Sequence, residues 1–412
     1  MSATHSVHCT PAAAPVLYVS FELSWNTWKM AFTIGAGQPP RIRSIPARGT
    51  SLVLSEIKKA KRRFGLPDDA PVVSCYEAGR DGFWLHRFLV HEGVRNIVVD
   101  SSSIEVNRRK RRAKSDRLDA IMLVSQLIRW HNGEKRVWSV VHVPTVTDED
   151  RRQLHRELIE LKGQRTEHVN RIKGLLAGLG LSTIVDAKLP ERLEKLRQWD
   201  GAALPPALHQ RMLREFERLQ LVGRQIRELE AERTERIRDD PTPEVEKVRR
   251  LLSLKGMGEN GAWLLVWEFF SWRLIHNRRE LASLAGLSPT PYDSGNMRCE
   301  QGISKAGNRR VRWMMIQLAW GWLRYQPNSE LSQWYRRRFA QGNTRLRKVG
   351  IVALARKLLI AFWKYLETGE VPAGAEVRKR KVVRVKQASK TGEVPAGAEV
   401  RKKKVVRVKQ AC

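Results

Sequence analysis

The sequence predicts an α/β fold joined to an all-α half. A mixed, open sheet with helices comes first, then a helical linker, a mainly helical C-terminal domain and a basic tail. Three observations carry this. Short β-rich segments alternate with helical ones over about residues 15–135, and ladders of apolar residues at helical spacing run through 150–240. Residues 368–412 hold too few apolar side chains for a core.

The elements follow in order. "VLYVSFEL" and "TWKMAFTI" are β-rich and separated by a turn-like "SWN", so they read as a hairpin, with "PRIRSIP" as a third strand. "TSLVLSEIKKAKRRFG" has a Thr/Ser start, helical periodicity and a terminal glycine. "APVVSCYEAG" and "VRNIVVDSS" read as buried strands, with the helical "RDGFWLHRFLVHEG" between them.

In the linker, Leu154, Leu158, Leu161, Ile172, Leu175 and Leu179 form one ladder. Leu208, Met212, Phe216, Leu219, Val222, Ile226 and Leu229 form a second. "LGLST" and "DGAALPP" break the helix between them, which predicts an antiparallel helical hairpin or a dimerising coiled coil, with a plain bundle as the alternative. Residues 250–366 hold eight of the fourteen tryptophans, as expected of a core. "TGEVPAGAEVRKRKVVRVKQ" at Thr368 recurs as "TGEVPAGAEVRKKKVVRVKQ" at Thr391. This duplicated tail, 368–412, carries 13 Lys/Arg against 4 Glu, a net +9, and is expected to be disordered.

A formal charge of +33 sets the class of partner. Such a field attracts polyanions and gains affinity by releasing counterions from phosphates, so nucleic acid is expected. A membrane is not, because the longest apolar run, "GAWLLVWEFFSW", is interrupted by Glu268. The N-terminus lacks a basic segment ahead of an apolar one, so no signal peptide is expected. Cys9, Cys75, Cys299 and Cys412 have no paired spacing, which fits a reducing cytoplasm, and "HSVHC" lacks a second half for a metal site.

The chemistry is expected from carboxylates behind bare positive charge. "NRRKRRA" holds Arg108, Arg109, Lys110, Arg111 and Arg112, and "KSDRLDA" follows it with Asp116 and Asp119. Those two acids lie about 60° apart on a helix, on one face. Hard oxygens at that spacing suit Mg²⁺, with Mn²⁺ as a substitute. Glu77 closes "PVVSCYE" and Glu22 sits near the end of "YVSFELS". Carboxylates from adjacent strand ends and a later helix can converge for in-line attack at phosphorus. A capped, solvated helix start is the structural alternative for the aspartate pair.

"VSFELS", "CYEAG" and "KSDRLDA", in that order, resemble the RuvC-like domain of DEDD-type insertion-sequence transposases, the IS-one-ten family of bridge-RNA-guided recombinases. "LLSLKGMGENGAWLL", "LASLAGLSPTPYDSG" and "GISKAGNRRVRWMMIQLAW" resemble that family's second, serine-bearing domain. The resemblance covers about residues 15–365. It implies a RuvC/RNase H-like metal domain over 15–135, a coiled-coil dimerisation linker over 150–240 and a transposase domain over 250–366. The family's first acid is usually Asp, whereas Glu22 reaches one methylene further.

Ser294, in a Pro/Gly-rich loop, corresponds by resemblance to the family nucleophile that links transiently to a cleaved strand, with Ser304 as the fallback. Serine is a weak nucleophile until activated, and no histidine is near in sequence. The resemblance implies that the metal site of a partner protomer meets it, in a homodimer or tetramer. It also implies donor and target DNA as partners, with a structured guide RNA choosing the sequence. Lys305, Arg309, Arg310 and Arg312 read as phosphate ligands, and "LKGMGEN" as the turn of a helix-hairpin-helix. The rival expectations are a junction-resolving nuclease that uses water, and a non-catalytic nucleic-acid-binding remnant.

Overall fold

The computed structural model describes residues 15–105, 115–294 and 297–378, and of residues 294 and 297–300 the backbone alone. The N-terminal part is a five-stranded sheet. Strands β1 (Leu17–Leu23), β2 (Thr27–Thr33) and β3 (Arg41–Pro46) form an antiparallel meander. Strands β4 (Val72–Glu77) and β5 (Arg95–Val99) then add in parallel on the other side of β1, giving the order β3-β2-β1-β4-β5. The expected hairpin and mixed sheet are thus present.

Both faces of the sheet are covered, which is why β1 reads as a nearly continuous apolar run. Leu17, Val19 and Phe21 point to the face packed by α1 (Thr50–Arg63) and α2 (Trp84–His91). Tyr18, Val73 and Cys75 point to the opposite face, under α3 (Asp116–His131). Phe21 is fully buried, and truncating it to Ala should cost about 3–5 kcal/mol. The chain crosses the sheet's edge once more, where Val140 bridges Val99 and buries Val137 and Trp138.

A short helix, α4 (Val146–Asp150), closed by a Thr145–Asp148 capping box, leads into the linker. There α5 (Gln153–Ala177) and α7 (Pro206–Asp239) run antiparallel, joined past the short α6 (Leu189–Lys195). Leu158 and Leu161 meet Val222 and Ile226 near the base, while Ile172 and Leu176 meet Met212 and Phe216 further out. The two ladders therefore face each other within one chain, as the hairpin reading expects. Between them Glu215, almost wholly buried, accepts from His168 (2.7 Å), Arg171 and Arg218 (2.8 Å).

The C-terminal part is built from α8 (Pro243–Leu252), α9 (Glu259–Leu265) with a π turn at Val266–Phe270, α10 (Arg278–Leu284), α11 (Arg309–Tyr325), α12 (Glu330–Phe339) and α13 (Thr344–Thr368). Its core includes Trp263, Trp267 and Trp322, while Trp313 and Trp320 are about half exposed. A two-stranded hairpin, β6 (Pro289–Ser294) and β7 (Met297–Ile303), stands between α10 and α11. No helix among the described residues is long and apolar enough to cross a membrane.

One expectation is corrected. The tail was expected to lack structure from Thr368, yet residues 369–377 pack onto the C-terminal part. Gly369 ends α13 in the left-handed conformation, Pro372 is buried, and Val377 bridges Leu254. Too few apolar residues for a separate core did not prevent the segment from using an existing one. The remainder of the tail, 379–412, lies outside the described residues.

Candidate active site and nucleic-acid surfaces

Glu22 and Glu77 occupy the carboxyl ends of neighbouring parallel strands, with Phe21 in register with Tyr76. Helix α3 supplies the aspartates. Ser115 caps it, its hydroxyl accepting from the Leu118 amide (3.3 Å), and Asp116 and Asp119 fall in the first turn. The helix start is pinned over β1 because the buried Ser20 hydroxyl donates to the Ala120 carbonyl (2.6 Å).

Glu22, Glu77 and Asp119 consequently line one cleft of about 520 Å³. Asp116 does not line it and is exposed. The structure thus brings together three of the four expected acids. Asp81, from "RDG", is a further carboxylate in the cleft, 3.4 Å from Arg80 and 3.7 Å from Arg48. The donors are all hard oxygens, which suits Mg²⁺, an ion that binds through one or two carboxylates and otherwise keeps waters and phosphate oxygens. Among the described residues, however, no three His, Cys, Asp or Glu side chains gather into a metal-binding group.

Trp25, also on the cleft and 61% exposed, was passed over in the sequence as part of a turn. Arg48 and Arg80 each lie 4.8 Å from its ring centroid. Cations at that distance are attracted to the aromatic face, so the rim of the cleft joins positive charge to an exposed aromatic surface. The signal for it is weak, since the three residues are scattered along the chain. The run Arg108, Arg109, Lys110, Arg111 and Arg112 lies outside the described residues.

In the C-terminal part, the loop expected around Ser294 is a β-hairpin. Ser294 is the last residue of β6, paired with Met297 across the turn. Alternation of Pro and polar residues hid the strand. Ser304 follows β7, its amide donating to the Ser288 carbonyl (2.9 Å) at the hairpin base.

The expected phosphate ligands divide. Lys305, Arg309 and Arg310 are exposed and have no ion-pair partner among the described residues. Arg312 instead donates to the Lys305 (2.8 Å) and Ala285 (3.4 Å) carbonyls, holding the loop.

Asn308 caps α11 and is itself held by Glu268. That buried carboxylate accepts both arms of the Arg156 guanidinium (2.7 and 2.9 Å) and a third bond from the Asn308 amide (3.3 Å). Burial alone would raise the Glu268 pKa, but Arg156, aided by Arg152 and Arg310, outweighs it and holds the group below the usual carboxylate range. His155, buried alongside with neither ring nitrogen bonded, is pushed down to about 4, by burial first and then by Arg233. Its ring is therefore neutral at pH 7.

The turn read as a helix-hairpin-helix has a packing role at its first glycine. Gly256 has φ +87°, and a Cβ there would stand 2.8 Å from the Tyr325 Cβ. A second basic surface was missed in the sequence because its cations come from two helices far apart in the chain, α10 and α13. Arg278, Arg279, Arg345, Arg356 and Lys357 line a groove of about 730 Å³ whose floor includes Leu287, Ile303 and Ile360.

Comparison with known proteins gives consistent matches. Residues 248–336 match the model of the family described as transposase IS116/IS110/IS902. The chain is 41% identical over 375 residues to a putative transposase, y4rJ, of Sinorhizobium fredii, covering 88% of this chain and 94% of that one. It is 27% identical over 237 residues to the transposase for insertion sequence element IS1328 of Yersinia enterocolitica, covering 56% and 68%. It is 28% identical over 233 residues to the transposase for insertion sequence element IS1111A of Coxiella burnetii, covering 55% and 61%.

Proposed function

The chain belongs to the IS116/IS110/IS902 family of transposases, and on that premise we propose that it cuts and rejoins DNA strands using a Mg²⁺–carboxylate site and the Ser294 hydroxyl. The observation that carries the reading is the shared cleft of Glu22, Glu77 and Asp119 at the ends of parallel strands. Glu22, Glu77 and Asp119 would hold a Mg²⁺ there, which would neutralise phosphate charge and lower the barrier to attack at phosphorus, while Asp116 stands exposed outside the cleft at the helix start.

The chain's own groups perform the remainder. The Ser294 oxygen bonds to a backbone phosphorus as the bond to the departing sugar oxygen breaks. The hydroxyl proton leaves to a carboxylate or water, and the sugar oxygen departs with a proton from solvent. Attack by the incoming strand's hydroxyl reverses the exchange and frees the serine. Phosphodiester energy is conserved throughout, so no external energy source is required.

Lys305, Arg309, Arg310 and the basic groove beside the hairpin hold phosphates of DNA and of a structured guide RNA; Arg108–Arg112 are assigned the same role. A homodimer, or a tetramer, unites Ser294 of one protomer with the carboxylates of its partner, in the cytoplasm where the DNA lies. A second reading, a nucleic-acid-binding remnant without catalysis, is favoured by one observation: the acids share a cleft without gathering into a three-residue group.

Asp119→Ala separates the two readings. Mg²⁺-dependent strand cleavage should disappear while nucleic-acid affinity stays within about threefold. Cleavage undiminished in that variant would remove the carboxylate site, and no cleavage by the wild-type chain would favour the remnant.

A further inference from the structure

The outer face of α11 is a single stripe. Arg309, Trp313, Gln317, Trp320 and Arg324 follow one another at steps of four, four, three and four residues, and all five are exposed. Helical geometry sets them within an arc of about 80°. The opposite side of the helix, including Val311, Met315 and Trp322, is buried in the C-terminal core. Trp313 is 52% exposed and Trp320 50%. Among the described residues, neither ring is paired with another aromatic ring or with a cation.

The chemistry of the stripe selects its partner. Helix α11 carries four arginines and no acidic residue. Arg309 and Arg324 bracket the two indoles and have no ion-pair partner among the described residues. The polar Gln317 separates the rings, so the face offers two aromatic platforms rather than the continuous apolar centre of a protein interface. Platforms set between cations suit a single nucleic-acid strand, whose bases stack on the rings while its phosphates meet the guanidiniums. Paired bases in a duplex cover one another's faces and leave none for an indole. The rings stand about 10.5 Å apart along the axis, about three times the 3.4 Å step of stacked DNA. The bases they hold therefore belong to an unstacked strand.

We propose that the outer face of α11 binds an unpaired DNA strand, with a base on each of Trp313 and Trp320 and phosphates at Arg309 and Arg324. The choice of DNA follows from continuity. The hairpin that carries Ser294 leads through Ser304 and Lys305 directly into α11, so a strand parted at Ser294 is held by the next element of the chain. That choice rests on the serine chemistry proposed above; the stacking does not.

Photocross-linking of the full chain to a thymidine oligonucleotide bearing 5-iodouracil, without Mg²⁺, tests this. Trypsin releases "WMMIQLAWGWLR", which holds Trp313, Trp320 and the 3%-exposed Trp322 as an internal control. Adducts should fall on Trp313 and Trp320, about tenfold or more above Trp322. In fluorescence anisotropy, Trp313→Leu and Trp320→Leu should each weaken strand binding about fivefold or more, with the salt slope and the affinity for duplex unchanged. Trp313→Phe keeps a stacking face and should bind within about twofold of the wild type. Arg324→Gln should instead flatten the salt slope by about 0.7.

Adducts on neither exposed tryptophan, leucine variants that bind the strand as the wild type does, or a phenylalanine variant as weak as leucine would overturn the proposal. An equal loss on duplex would make α11 a duplex reader, and a matching RNA strand bound more tightly through the same rings would refute the choice of DNA. An oligomer that dissociates in Trp313→Leu/Trp320→Leu, with strand binding intact, would give the face to a second copy of the chain. No arm requires cleavage, so Ser294→Ala should behave as the wild type in all of them. A chain that passes these tests without cleaving DNA would lose the serine chemistry alone, and one that cleaves but fails them would lose the stripe alone.

Discussion

Glu268→Gln removes one negative charge from a carboxylate that is 3% exposed and keeps its shape. The variant leaves the Arg156 guanidinium, with 30% of its side chain exposed, without its countercharge and weakens a bidentate contact now at 2.7 and 2.9 Å. Breaking a fully buried pair costs about 3–5 kcal/mol. The partial exposure of Arg156 lowers this to about 3 kcal/mol, since water can rehydrate it. At about 2.1 cal/mol/K of unfolding entropy per residue, a compact unit of roughly 350 residues shifts by about 1.3 °C per kcal/mol, so Tm at pH 7 should fall by about 4 °C.

The pH dependence provides the sharper check. The folded pKa of Glu268 is depressed, so its contribution is complete above the unfolded value near 4.3 and is lost as pH falls through the folded one. The wild-type and Gln melting curves should therefore separate most at pH 7 and converge below about pH 4. Calorimetry across that range is the assay. A constant gap at every pH, or a shift under about 1 °C at pH 7, would refute the argument.

Two further outcomes follow from the same geometry. Gly307 has φ +103°, and a Cβ there would lie 2.2 Å from the Leu284 carbonyl oxygen; Gly307→Ala should cost about 2–4 kcal/mol in urea unfolding through strain and overpacking, whereas Gly302→Ala, with open space around it, should cost about 1 kcal/mol. Truncation after Arg378 removes twelve Lys/Arg and two Glu, a net +10, while keeping residues 369–377. Non-specific DNA affinity should then fall, and the plot of log K against log salt should flatten by about 0.9 for each phosphate no longer neutralised, with target preference unchanged.

The sheet was legible because local signals agreed. Turn residues separate β1 from β2, and the continuous apolar run of β1 records burial on both faces. The linker was legible from its ladders, although spacing alone could not say whether they meet within a chain or between chains. Leu158 opposite Val222 and Ile226 answers that for the hairpin. The acids at the strand ends were legible because strand termini are visible in sequence, while Asp81 and Trp25 were not. Their relevance comes from the fold bringing Arg48 near both. The basic groove was hidden for the same reason, its cations being contributed by α10 and α13. Residues 369–377 were misread because composition reports whether a segment can fold alone and is silent on docking.

The serine is the point on which the proposed chemistry stands. Wild-type protein, incubated with Mg²⁺, its RNA and end-labelled donor DNA, should form a protein–DNA adduct that survives denaturing electrophoresis. Ser294→Ala should form none while still binding RNA and DNA. An adduct persisting in Ser294→Ala and lost in Ser304→Ala would move the nucleophile to Ser304. Clean Mg²⁺-dependent cleavage by the wild type with no adduct would contradict the account and leave a water-using nuclease in its place.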